Sequence, residues 1–259
     1  MKQILSWERR VLLAWPIIAP LLVIFFKTGF YSSLFIFFVI PSLFLSMIDK
    51  KIWKRASLFS VIFLPLLIVF DYVMERTRGW HVDSIVEAYR IFGYASWENI
   101  IWSLAFVYFI VAFYEIFLHD HVHSKIYYPK IRYFVLFVFV FVSSFLITLF
   151  ADSALLSVSH FYLKIGLFAI VPPVLFMLWK TPSIWRKFLK IEVYFFIIFF
   201  NYELVALSLN QWSFPEKNQF LGFITIRGLH IPYEEFVFWM LLSAVAVVSY
   251  FEIFDDDGK

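Results

Sequence analysis

The sequence contains no cysteine, and only 16% of its 259 residues are charged. Without cysteine, the chain can form neither a disulfide nor a thiolate metal site. Hydrophobic residues make up 63% of the chain, so polar residues are too few to cover a globule in water. The 36 phenylalanines lie mostly in nearly unbroken apolar runs, which indicates that lipid is the solvent. The small net charge of +3 is spread over short loops and argues against nucleic acid as a partner.

Eight apolar runs have the character of transmembrane helices, which need about 20 mostly apolar residues. The predicted spans are 11–26, 30–48, 57–74, 99–118, 131–151, 157–179, 191–209 and 234–254. No small-residue cleavage site follows the first run, so we interpret it as a retained span and not as a signal peptide. We therefore predict an all-α integral membrane protein with about eight transmembrane helices.

Lysine and arginine in the short loops predict the orientation of these spans, because cytoplasmic loops are enriched in both. One side carries fifteen of the 22 basic residues: Lys2, Arg9, Arg10, Lys50, Lys51, Lys54, Arg55, Lys125, Lys130, Arg132, Lys180, Arg186, Lys187, Lys190 and Lys259. The other side carries Lys27, Arg76, Arg78, Arg90, Lys164, Lys217 and Arg227. We therefore predict a multi-pass protein of the cell membrane with both termini in the cytoplasm.

The two halves of the sequence align with each other at nearly constant offsets, which predicts an internal repeat. An offset of 132 superimposes Pro41 on Pro173, Phe44 on Phe176, Trp53 on Trp185, Asp71 on Glu203 and Trp80 on Trp212. An offset of 137 superimposes Glu98 on Glu235, Trp102 on Trp239, Glu115 on Glu252 and Phe117 on Phe254. We predict two tandem four-helix units, 1–120 and 121–259, related by an axis along the membrane normal, as in parallel-repeat transporters.

Acidic residues in or beside the spans are the candidate catalytic groups, because charge at membrane depth is costly and points to function. Five of them fall in the non-cytoplasmic half of the predicted bundle: Asp71, Glu98, Glu203, Glu234 and Glu235. Carboxyls gathered in a low-dielectric cleft can include protonated and ionised members, as paired general acid and general base chemistry requires.

Structural roles for acidic and histidine residues stay open beside the catalytic one. Glu98, Glu234 and Glu235 lie at predicted helix N-termini and could cap their helices. Asp71 and Glu203 lie within spans and could form ion pairs with arginine, for which the candidates are Arg76, Arg78 and Arg227. Glu115 and Glu252 lie at predicted cytoplasmic helix ends, so we interpret them as interfacial. The loop residues His119, Asp120, His121 and His123 have the composition of a metal cluster, but no fourth ligand is placed, and we predict no metal site.

The run from Gly222 to Trp239, GFITIRGLHIPYEEFVFW, resembles the integral-membrane lycopene cyclases of the heterodimeric and fused type found in actinobacteria, archaea and fungi. In that family a glycine and a spacer precede Pro-x-Glu-Glu and an aromatic pair. The spacing of nine between an acid and a tryptophan is also similar, and here it occurs as Asp71 with Trp80 and as Glu203 with Trp212. Those enzymes consist of two homologous domains, and the resemblance covers roughly residues 30–254.

The chain departs from the family pattern at two places. The first copy reads ASWEN at 95–99, without the proline and with one glutamate instead of two. In the second copy, Glu203 stands where aspartate is commoner.

The resemblance implies that linear ψ-end groups of a lycopene-like carotenoid are cyclised to β-type ionone rings without redox change. Glu234 or Glu235 would protonate the terminal alkene, and a carboxylate, with Glu98 and Glu203 as first candidates, would remove a proton afterwards. Asp71 is a further candidate catalytic residue. The implied substrate contacts are Trp80, Asn201, Trp212, Pro232, Tyr233, Phe236 and Trp239. No cofactor is expected, since no dinucleotide-binding glycine fingerprint is present. The lipid bilayer is the other expected partner, and a homo-oligomer or a complex with other carotenoid enzymes stays open.

Two further classes of function stay open. A carotenoid hydratase or another prenyl-modifying enzyme would let water capture the same cation, and the mass of the product separates it from a cyclase. The other class is a non-catalytic parallel-repeat transporter or lipid-binding membrane protein. Transport predicts gated access to both faces, whereas the candidate acids lie at one depth and lack partners on the cytoplasmic side.

Overall fold

The computed structural model describes residues 6–83, 89–118 and 131–254. Within these ranges, seven helices are long and apolar enough to cross a membrane. They confirm the predicted fold class in its coarse form, an all-α protein with membrane-spanning helices. The histidine-rich loop, with His119, Asp120, His121 and His123, lies outside the described residues.

The helices follow the predicted order of spans. They are α1 (Ser6–Phe26), α2 (Phe30–Ile48), α3 (Lys50–Arg76), α4 (Trp97–Phe117), α5 (Ile131–Asp152), α6 (Phe161–Lys180), α7 (Trp185–Ser208) and α8 (Ser243–Phe254). Short 3₁₀ turns occur at Ser153–Leu156, Pro182–Ile184 and Lys217–Gln219. The last predicted span is interrupted, because a π-helical segment, Glu235–Met240, precedes the short helix α8.

The predicted loop before the third span is mostly helix. α3 begins at Lys50, where the Asp49 side chain accepts a hydrogen bond of 2.9 Å from the Lys51 N–H as an N-cap. Arg55, predicted as a loop residue, is buried inside α3 and forms an ion pair of 2.5 Å with Glu115 of α4. Mutual pairing is what allows two charges to be buried. Glu115 is therefore part of a buried ion pair near the end of α4.

α2 and α6 share an internal break. In each helix, five π-helical residues separate two α-helical pieces: Phe35–Val39 in α2 and Gly166–Ile170 in α6. A proline follows each break, Pro41 in α2 and Pro172 in α6. Proline lacks the N–H that would continue the α-helical pattern, which is a common cause of such changes in hydrogen-bond register. The two breaks are 131 residues apart.

The two halves of the chain meet at residues that the sequence alignment superimposes. His81 and Ser213, which are 132 positions apart, exchange two backbone hydrogen bonds of 2.9 and 3.0 Å. The rings of Trp102 and Trp239, which are 137 positions apart, have centroids separated by 4.7 Å. These contacts bring the end of α3 close to the end of α7, and α4 close to the last span.

A β-hairpin that the sequence analysis did not predict precedes the last span. Its strands, β1 (Phe223–Ile226) and β2 (Leu229–Pro232), are antiparallel. Arg227 and Gly228 form the two-residue turn and both have positive φ, as tight hairpins require. The hairpin ends two residues before Glu234 and so fixes where the last span begins.

Gly166 lies where α6 packs against the ring of Phe238. A Cβ atom at position 166 would lie 2.2 to 2.3 Å from three atoms of that ring. We expect Gly166→Ala to destabilise the protein by about 1–3 kcal/mol, as overpacking does, which a lower thermal unfolding midpoint in detergent would report. Gly29→Ala is the matched control, because a Cβ there would meet nothing within 4 Å. Equal midpoints for both variants would contradict the close packing.

Candidate active site

A cavity of about 530 Å³ lies between the two halves of the chain, within the size range of small-molecule sites. Its walls come from α3, α4, α5, α6 and the last span, with Trp212 and Phe214 from the segment after α7. Most lining residues are aromatic or aliphatic. The lining residues with polar side chains other than tryptophan are Asp71, Asn99, Ser103, Tyr162, Lys164, Glu235, Ser243 and Tyr250.

Glu235 brings a carboxyl group to the cavity wall. It begins the π-helical segment and is 7% exposed. The Tyr162 hydroxyl lies within hydrogen-bonding range of this carboxyl. The second oxygen, Oε2, has no hydrogen-bond partner among the residues that the structure describes. Buried carboxyl oxygens are normally paired, so this unpaired oxygen in a residue of the cavity wall marks Glu235 as the leading candidate for a functional group.

Glu203 lies next to Glu235, close enough for the two carboxyl charges to interact. It is fully buried in α7, and its Oε1 accepts a hydrogen bond of 3.1 Å from the indole N–H of Trp212. Its Oε2 has no partner within the described ranges. Glu203 therefore lies beside Glu235 but does not itself line the cavity.

Asp71 is the other predicted acid in the cavity wall, and its carboxyl oxygens are well bonded. They accept hydrogen bonds from the Trp80 indole at 2.9 Å, the Ser96 backbone N–H at 2.7 Å and the Asn99 amide at 2.6 Å. These donors hold the carboxyl in one orientation. An arginine partner for Asp71 was an open alternative from the sequence, but Arg76 donates to other residues.

Glu98 and Glu234 are buried but are not among the residues that line the cavity. Glu98 accepts a hydrogen bond of 3.1 Å from the Tyr31 hydroxyl, and the N-cap of α4 is Ser96. Glu234 accepts a hydrogen bond of 2.8 Å from the backbone N–H of Leu221. Both carboxyls therefore bond to other segments of the chain and do not cap their own helices.

Three of the seven predicted substrate contacts line the cavity: Trp80, Trp212 and Trp239. The other four do not line it. Asn201 donates to the Pro16 carbonyl, and Phe236 packs against Phe196. Tyr233 lies against Gly222, and Pro232 is the last residue of β2. The structure thus brings together the tryptophans but not the residues that flank the paired glutamates.

Tyr162 is a site residue that sequence reasoning missed. Both Tyr162 and Tyr31 contact a glutamate, Glu235 and Glu98 respectively, and they are 131 residues apart. An offset of 132 does not superimpose the two tyrosines. An offset of 131 superimposes both the tyrosines and the π-helical breaks of α2 and α6. An alignment whose offset was allowed to change from 131 to 132 would have superimposed Tyr31 on Tyr162.

Glu75 is a further buried acid that was not predicted. It accepts a hydrogen bond of 3.0 Å from the Val82 backbone and pairs with His81 at 2.8 Å and with Arg90 at 3.0 Å. This network ties α3 to the following loop, which carries Trp80 and Val82 into the cavity wall. Its role in the site is to position that wall.

Comparison with known proteins returned no relative: no family model, curated protein or solved structure matches this chain. The function therefore rests on the geometry of the cavity together with the sequence resemblance.

Proposed function

We propose that this chain is an integral-membrane carotenoid cyclase that closes β-type rings on the ψ-end groups of a lycopene-like substrate. The observation that carries the proposal is the Glu235 carboxyl, buried at the wall of an apolar cavity, with one oxygen unbonded among the described residues. Cyclisation of an end group needs an acid, a base and protection from water, and it is redox-neutral.

The proposed reaction begins when Glu235 transfers a proton to C2 of the terminal C1=C2 alkene, which leaves a tertiary cation at C1. The electrons of the C5=C6 alkene then form the C1–C6 bond, which closes a six-membered ring and moves the positive charge to C5. Loss of the proton from C6 forms the ring alkene. One proton is gained and one is lost, so substrate and product are isomers.

Asp71 is the proposed base, because it lines the same cavity and its three donors fix its orientation. Glu98 and Glu203, which the resemblance favoured, do not line the cavity. In this proposal Glu203 shares the proton of Glu235. The rings of Trp80, Trp212 and Trp239 stabilise the passing cation, and the apolar walls exclude the water that would capture it as an alcohol.

We also propose that the protein consists of two four-helix units related by a pseudo-twofold axis along the membrane normal, with eight spans and both termini in the cytoplasm. Contacts between superimposed residues support this, since a residue that touches its own equivalent lies beside a twofold axis. His81 with Ser213 and Trp102 with Trp239 are two such contacts. The matching breaks of α2 and α6 are a further support.

Expression in a host that accumulates lycopene tests the reaction class. We expect pigment chromatography to resolve a new carotenoid with the mass of lycopene and an absorption maximum at shorter wavelength, because ring closure twists the end of the polyene out of conjugation. A product heavier by one water would show a hydratase instead. Unchanged lycopene beside well-expressed protein would contradict both activities.

A further inference from the structure

The cavity wall includes residues that are exposed on the outer surface of the helix bundle. Phe137 of α5 and Phe168 of α6 both line the cavity, yet their exposed fractions are 54% and 78%. A side chain that contacts both the cavity and the outside marks a place where the wall is thin or open. We call this place, defined by Phe137 and Phe168, the lateral opening.

The lateral opening lies at the depth of the hydrocarbon layer. Phe137 is six residues from the beginning of α5, and Phe168 is seven residues from the beginning of α6. At 1.5 Å per residue, both lie about 10 Å from a helix end, inside a hydrocarbon core about 30 Å thick. The neighbouring exposed side chains are apolar as well: Phe139, Val140 and Leu167.

α5 is the part of the wall that the rest of the protein covers least. Of the seven candidate spans, the one containing α5 has the smallest buried share. Its aromatic contacts to α3, Phe134 with Phe63 and Phe141 with Phe70, have centroid distances of 4.8 and 6.2 Å. Phe134 also packs against Tyr250 and Phe254 of α8, with centroid distances of 6.1 and 4.6 Å. α5 is therefore attached to the bundle through α3 and α8, and the lateral opening lies where α5 and α6 both line the cavity.

The cavity is long, and its acids lie at one end. Glu235 and Tyr250 both line it and are fifteen residues apart along the last span, which corresponds to roughly 20 Å. Asp71, Trp80 and Trp212 lie at the Glu235 end. Phe63 and Tyr250, at the other end, leave an apolar channel that suits one extended hydrocarbon chain.

We propose that the cavity is filled sideways from the bilayer, through the lateral opening between α5 and α6. Its occupant is the end of one long, linear, apolar molecule whose remainder stays in the lipid. Such a route spares the molecule any transfer through water, which is unfavourable in proportion to the apolar area exposed. The occupant's identity as a carotenoid rests on the proposed function, whereas the access route does not.

The absence of native cysteine makes single-cysteine variants a clean test. We expect a bulky, lipid-soluble methanethiosulfonate on Phe137→Cys or Phe168→Cys to lower lycopene binding and conversion at least 10-fold, with recovery after thiol reduction. The matched controls are Phe139→Cys and Leu167→Cys, which lie on the same helices and are exposed but do not line the cavity. An equal effect of the label at control and test positions would overturn the route.

A labelling experiment separates the route from the proposed function. Ser103→Cys places a thiol in the buried cavity wall, and Ser243→Cys is a second such position. In vesicles, we expect an uncharged maleimide to label these thiols at least 10-fold faster than a charged reagent from either side. Ala169→Trp, at the cavity wall beside Phe168, should slow this labelling 10-fold, and Leu167→Trp should not.

The outcomes of the two experiments are distinct. Labelling by the charged reagent, or labelling that Ala169→Trp leaves unchanged, would overturn lateral access. The expected labelling pattern in a protein that neither binds nor converts lycopene would uphold the route and refute the carotenoid assignment.

Discussion

Replacing Glu235 with glutamine should lower ring formation at least about 100-fold, because loss of a general acid typically removes a factor of 10² to 10⁴. Glutamine keeps the size of the side chain and an oxygen that can accept from Tyr162, so the cavity wall should stay in place. The variant loses only the proton that the proposed reaction transfers to the substrate. Initial rates of product formation by purified protein, followed by chromatography, measure the effect.

Glu234→Gln is the matched control for this loss. Glu234 is adjacent in sequence and equally buried, but it lies outside the cavity wall and bonds to the Leu221 backbone. The amide oxygen of glutamine can keep that bond, so we expect the rate to stay within about threefold of wild type, in line with the loss of one modest interaction. Equal losses in the two variants, or an unchanged product profile in both, would contradict the assignment of the acid to Glu235.

Replacing Asp71 with alanine should give the largest loss of stability among the site residues. Three buried or part-buried donors, on Trp80, Ser96 and Asn99, would lose their acceptor. An unsatisfied buried donor costs about 1–3 kcal/mol, so we expect a loss on the order of 3 kcal/mol or more. Thermal unfolding midpoints, or unfolding titrations in mixed micelles, would measure it.

Asp71→Asn separates the structural role of Asp71 from the chemical one. Asparagine keeps one acceptor oxygen for these donors, so stability should fall less than in the alanine variant. It cannot act as a base, and we expect cyclisation to fall at least about 10-fold. An alanine variant as stable as wild type would contradict the bonding of Asp71, and an asparagine variant with full activity would contradict its role as base.

Features set by neighbouring residues were the ones that could be predicted from the sequence. Helices appear as apolar runs because lipid requires both an apolar surface and internally bonded backbone. Nine residues separate Asp71 from Trp80, and Glu203 from Trp212. In each case the helix ends between the two residues, and the chain turns back so that the tryptophan lies beside the acid. In both pairs the tryptophan indole donates to the acid, so the spacing pointed to a real contact.

Features set by distant partners could not be predicted. Arg55 was assigned to a loop because of its charge, and its ion pair with Glu115, sixty residues away, could not be read from the neighbouring residues. Tyr31 and Tyr162 share the offset of 131 that relates the breaks of α2 and α6, so an alignment at 132 does not superimpose them. Which acids reach the cavity depends on the packing of five helical elements, so Glu235 could not be told apart from Glu234 by spacing alone.

Cyclisation of lycopene by the purified protein in deuterated water tests the central claim most directly. If the Glu235 carboxyl donates an exchangeable proton to C2, each ring formed should carry one deuterium at that carbon, and mass spectrometry would detect it. We expect a cyclised product with one deuterium per ring in the wild type and little product in Glu235→Gln. A cyclised product without deuterium, or one heavier by a molecule of water, would contradict it.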